Sequence, residues 1–127
     1  MKLLSHLFFL EEETEERGLR RYQLRLNPQH EIYQAHFPGN PITPGVCLIL
    51  LVSELLEKQT GRKLALKQVV NVKFLHVLSP TEHTHVEVYF RSIEQDGSHY
   101  KIKAVLQNDD LTFAQLSMIY VDATEAR

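Results

Sequence analysis

Cysteine is nearly absent from this chain: Cys47 is the one thiol among 127 residues. A single thiol excludes an internal disulfide framework and a cysteine-based zinc site, and it fits a reducing compartment, so the expected location is the cytoplasm. Long apolar runs are also missing. None approaches the roughly 20 residues needed to cross a bilayer, which predicts a protein without a membrane span. The opening MKLLSHLFFL has the lysine and apolar residues of a secretion signal, yet it runs into EEETEE with no small-residue cleavage site; it reads instead as a strand. Charge of one sign is not in excess. The net charge is −2 with both signs interspersed, so bulk electrostatics gives no hold on nucleic acid or a membrane surface. No repeat, low-complexity tract or Gly/Ser linker divides the chain, and residues 1–127 are expected to form one domain.

What is present is enough apolar material for one sizeable core, 43% hydrophobic against 24% charged residues. EEETEERGLRR, acids then a glycine then bases, predicts the tip of a hairpin between strands near Leu7–Glu13 and Leu19–Leu26. A helix is predicted from about Pro44 to Gln59, with Pro44 at the first helical position and Gly61 as the stop. Its Leu48, Ile49, Leu50, Leu51, Val52, Leu55 and Leu56 cover nearly the whole circumference, and a helix apolar all round must be buried. The cover comes from the second half. Gln68–Leu78, Thr84–Ile93, His99–Gln107 and Leu111–Val121 read as strands, with Val86, Val88 and Phe90 alternating against Glu87, Tyr89 and Arg91, and Asp96-Gly97 as a hairpin turn. The expected class is α+β, a curled antiparallel sheet around one helix.

The stretch HFPGNPITPGV, from His36 to Val46, carries the chemistry. Pro38, Pro41 and Pro44 fix φ, while Gly39 and Gly45 allow close backbone approach, so the loop holds the His36 imidazole in place. Directly after it the helix N-terminus offers unpaired N–H groups, those of Gly45 and Val46 being candidates, at the positive end of the helix dipole. A histidine base beside such donors suits proton abstraction next to a thioester carbonyl, because the developing negative charge has a place to rest. A histidine that merely caps its own tight loop is the competing reading.

The pattern at His36, Phe37, Pro38, Gly39, Pro41, Pro44, Gly45 and Val46 resembles the signature of the 3-hydroxyacyl-ACP dehydratases of type II fatty-acid synthesis. VKFLHVLSPTEHTHVEVYF is also similar to that family's later strand, proline turn and strand, and the likeness runs from about Leu19 to Tyr120. The resemblance implies a hotdog fold, obligate dimerisation, an acyl carrier protein as partner, and elimination of water from a 3-hydroxyacyl thioester to give a trans-2-enoyl thioester in fatty-acid or related lipid or polyene synthesis. It implies no metal or organic cofactor. By position, His36 would act with a carboxylate of the partner subunit's helix, the amide near Gly45 would polarise the thioester carbonyl, and Phe37, Val46 and Leu50 would line the substrate. One position departs from the family. Its acid stands fourteen residues after the histidine, where this chain has Leu50, and the next carboxylate is Glu54, displaced about 6 Å along the helix.

Three arrangements accommodate that difference. Glu54 could serve as the acid, directly or through a water, if the apolar helix raises its pKa. A second, related chain could supply the acid while this one supplies His36, in a heterodimer rather than a homodimer. Or the protein could bind acyl chains or hydrolyse thioesters without dehydrating them. Three further groups are candidates for other roles. Cys47, in the first helical turn, is either an activated nucleophile or a small apolar filler. His83 and His85 share a strand face and could share a metal, although no third ligand stands nearby. Arg20, Arg21 and Arg25, or Arg62, Lys63 and Lys67, could form a local basic patch for an acidic carrier.

Overall fold

The computed structural model describes residues 2–35, 39–109 and 111–124. A hairpin of β1 (Phe8–Glu16) and β2 (Leu19–Leu26) leads through a short helix, α1 (Glu31–Ala35), to the long helix α2 (Gly45–Thr60). Four strands follow: β3 (Leu64–Phe74), β4 (His85–Asp96), β5 (His99–Asn108) and β6 (Leu111–Asp122). All pairings are antiparallel, in one six-stranded sheet ordered β1-β2-β4-β5-β6-β3. The chain thus leaves β2, runs through α2, and re-enters the sheet at its far edge.

Period-two alternation holds through the central strands. Tyr22 and Leu24, Val86 to Phe90, Tyr100 to Leu106 and Ala114 to Tyr120 turn alternate side chains inward, where they form one core with Cys47, Leu48, Leu51, Val52, Leu55 and Leu56 of α2. Burying one Leu or Val contributes about 1.5–3 kcal/mol. That outweighs the absence of a side-chain N-cap on α2, a feature worth about 1 kcal/mol. Turn chemistry fixes the hairpins: Arg17 and Gly18 take φ of 54° and 77°, and Gly97 takes 61°. Gly61 ends α2 in the left-handed region, its N–H donating to the Glu57 carbonyl.

Several sequence expectations are corrected. The N-terminal strand begins at Phe8, because Leu3 and Leu7 are drawn into the core and Ser5 turns the chain with φ 71°. Pro44 has helical φ but extended ψ (143°), so it is the N-cap and Gly45 the first helical residue. The third strand spans Leu64–Phe74 rather than Gln68–Leu78. It pairs with β6 directly after the Gly61 cap, and it ends where Leu75 and His76 both donate to the Phe113 carbonyl.

The helix is not covered all round either. Val46 is 60% exposed, and Ile49, Leu50 and Ser53, on the same helical stripe, are only half-buried. Edge strand β3 also leaves Leu66, Val69, Val70 and Phe74 exposed. No helix among the described residues is long and apolar enough to cross a membrane. Replacing the fully buried Leu55 with Ala should lower stability by about 2–5 kcal/mol, read from the urea unfolding midpoint.

Candidate active site

His36 and Phe37 lie outside the described residues; the structure describes the elements flanking them. On one side α1 begins at a turn in which the His30 Nδ1 accepts the Ile32 N–H. On the other, residues 41–44 belong to neither helix nor strand, and the Thr43 N–H donates to the Leu78 carbonyl.

At the α2 N-terminus the Cys47 N–H donates to the Pro44 carbonyl. The two preceding amides, of Gly45 and Val46, have no intrahelical acceptor. Gly45 lines a mainly apolar pocket of about 320 Å³, together with Leu48, Phe74, His76, Val77 and Leu78. The Phe74 ring lies over the glycine: a Cβ there would fall 2.7 Å from its Cζ. Glycine at 45 lets the ring lie this close, a contact hidden in the sequence because Phe74 comes from edge strand β3.

Two clefts of about 600 Å³ are larger, but both are polar. In one, Glu87 accepts from Arg21 (2.8 Å), Gln23 and Gln107 (3.0 Å), so its charge is already matched. Among the described residues, the pocket at Gly45 joins a helix N-terminus without a side-chain cap to apolar walls suited to an acyl chain.

Val46 and Leu50 fall on the open stripe of α2, Val46 exposed and Leu50 half-buried at the margin of the core. Glu54 is engaged elsewhere. Its Oε2 accepts the Leu3 N–H at 2.8 Å and its Oε1 the Leu4 N–H at 3.1 Å, fastening the N-terminal segment to the helix. Gly45 is nine residues away, about 13 Å along the axis.

The remaining candidates separate. Cys47 is buried, and burial pushes its thiol up, which favours the small apolar filler over an activated nucleophile. His83 packs edge-on against Phe113, while the His85 Nε2 meets the Glu11 Oε1 at 2.8 Å. Arg20, Arg21 and Arg25 are matched by Glu13, Glu87 and Glu11 respectively. Arg62 pairs with Asp122 at 2.6 Å; this contact, with a further bond from Thr124, draws the Asp122 carboxyl down to about 2. Lys63 and Lys67 enter no ion pair with a carboxylate among the described residues.

Comparison with known proteins adds family and fold. A family model described as ApeI-like, ApeI dehydratase, matches residues 11–115. The 3-hydroxyacyl-[acyl-carrier-protein] dehydratase FabZ of Clostridium acetobutylicum is 28% identical over 98 residues, covering 72% of this chain and 70% of its own. The Caulobacter vibrioides FabZ is 32% identical over 92 residues, 65% of this chain and 57% of its own. Among solved structures, the dehydratase heterocomplex ApeI:P from Xenorhabdus doucetiae superimposes with a TM-score of 0.70 at 20% identity, covering 90% of this chain and 97% of that one. A thioesterase from Staphylococcus aureus gives 0.66 at 12% identity, covering 94% and 95%. At these identities the structural likeness is one of fold, and the fold is the hotdog.

Two substitutions test the geometry. Gly45→Ala should cost less than about 2 kcal/mol, since the half-exposed Phe74 ring can swing aside. A double-mutant cycle with Phe74→Ala should return a coupling of about 0.5–3 kcal/mol. Glu54→Ala should lose about 1–3 kcal/mol by freeing two amides, and Glu54→Gln, which keeps one acceptor oxygen, a smaller amount; urea titration reads both.

Proposed function

The chain belongs to the ApeI-like dehydratase family, and from that membership we propose that it works on a 3-hydroxyacyl thioester carried by an acyl carrier protein, releasing water and a trans-2-enoyl thioester. It is a hotdog-fold dehydratase-like lyase by family and fold. One observation carries the substrate reading: an uncapped helix N-terminus opens on an apolar pocket, at the end of the loop in which the sequence sets His36.

In this reading the Gly45 N–H donates to the thioester carbonyl oxygen, and the His36 imidazole takes the proton from the α-carbon. The C–H electron pair becomes the new Cα–Cβ double bond. The Cβ–O bond breaks as an acid protonates the hydroxyl, which departs as water. Phe37, Val46 and Leu50 contact the acyl portion, Leu50 standing where the family acid would be.

Of the three arrangements for the acid, we favour the one in which a second, related hotdog chain supplies it. The Glu54 carboxylate is already the anchor of Leu3 and Leu4. The open stripe of α2 and the exposed edge of β3 form apolar surface of the kind a second subunit covers. The Xenorhabdus relative bears the name of a heterocomplex. Lys63 and Lys67 are the basic groups offered to an acidic carrier. The lone buried thiol suits a cytoplasmic setting.

The test is hydration of a trans-2-enoyl thioester on a carrier protein, measured for this chain alone and co-expressed with a related hotdog chain bearing a helix carboxylate. Turnover is expected only in the pair, falling about 10²–10⁴-fold in His36→Ala. Turnover by the chain alone that needs Glu54 would overturn the two-chain arrangement. No turnover in any assembly would overturn the dehydratase reading.

A further inference from the structure

Thr43 is buried and lies at the pocket. Its Oγ1 is 2.8 Å from the hydroxyl of Tyr33, itself fully buried. Burial pushes the Tyr33 hydroxyl up, so it remains a neutral hydrogen-bonding group. An interior tyrosine–threonine pair is an expensive way to fill space, because each hydroxyl must find the other or be left without a partner.

The placement gives the pair a use. Tyr33 belongs to α1, a helix of five residues, too short to hold itself by its own hydrogen bonds. Thr43 is two residues before Gly45, and its backbone N–H is fixed to the Leu78 carbonyl at 2.9 Å. The two hydroxyls therefore tie α1 to the start of α2 across ten positions of chain. Through Thr43 they also join the segment after β3 that forms the pocket wall. The approach to the helix N-terminus is thus held by a directional bond, where apolar packing alone would allow it to slide.

We propose that Tyr33 and Thr43 are positioning residues: their hydroxyl pair sets where the Gly45 and Val46 amides stand in the pocket, without touching substrate. The role rests on the dehydratase reading above for its kinetic consequence. Its structural consequence is independent of that reading.

Tyr33→Phe and Thr43→Val remove one hydroxyl each at nearly constant shape, and Thr43→Ser keeps the bond. In whichever assembly of the wild-type chain turns over, both hydroxyl-deleting variants should lower kcat about tenfold with KM changed less than about twofold, since a displaced donor weakens transition-state contacts more than substrate binding. The double variant should be no slower than the slower single, and Thr43→Ser should retain wild-type kcat. In parallel, hydrogen exchange of the Thr43 and Cys47 amides, held by the Leu78 and Pro44 carbonyls, should quicken relative to their intrinsic rates in Tyr33→Phe and Thr43→Val but not in Thr43→Ser. Unchanged kcat and unchanged exchange in the two hydroxyl-deleting variants would overturn the proposal. Equal losses in Thr43→Ser and Thr43→Val would also overturn it, by tracing the effect to packing. If no assembly of wild-type chains turns over, the dehydratase reading falls and the exchange data alone decide the positioning role.

Discussion

One constraint governs this molecule: α2 is apolar around nearly its whole circumference, while a single curled sheet can cover only part of a cylinder. The sheet takes the side bearing Leu48, Leu51, Val52, Leu55 and Leu56, and the N-terminal segment, held by Glu54, closes another sector with Leu3 and Leu7. What is left over is the Val46, Ile49, Leu50, Ser53 stripe. Because β3 sits at the sheet edge with its own apolar side chains exposed, the uncovered helix stripe and the uncovered strand invite the same remedy, a second subunit.

The proposed chemistry lies at the one end of α2 where that cover runs out. A helix that starts without a side-chain cap leaves its first amides available, and the sequence supplies a glycine where Phe74 must lie close over the backbone. The surrounding walls are mainly apolar, and in the proposed reaction the helix terminus holds the charge that develops at those amides. The larger clefts lack this combination. In one of them the Arg21 guanidinium and the Glu87 carboxylate are already paired with each other.

Much of this was legible in the sequence. Period-two alternation in Thr84–Ile93 and His99–Gln107, the Gly61 stop and the Asp96-Gly97 turn lead to the observed elements within a few residues, because burial on one face and left-handed turns constrain residue type locally. The motif from His36 to Val46 led to the family. The N-terminal turn did not show, since MKLLSHLFFL carries apolar residues that serve a strand and a core plug equally well. Nor did the end of β3. Its β-branched run continues past Phe74, and only the pairing partner on β6 decides where the ladder stops.

The sequence by itself determined the class of fold, the family, and the presence of a histidine loop before a helix with leucine at the position of the usual acid. These depend on residue type at short spacing, where propensity, turn geometry and motif act. Tertiary structure decided the partners of long-range groups. Glu54 became a backbone anchor, Arg21 a counter-ion for Glu87, Phe74 the cover over Gly45, and Tyr33 the mate of Thr43. A side chain's neighbours across the fold are set by register and curvature, and neither leaves a local trace in the order of the residues.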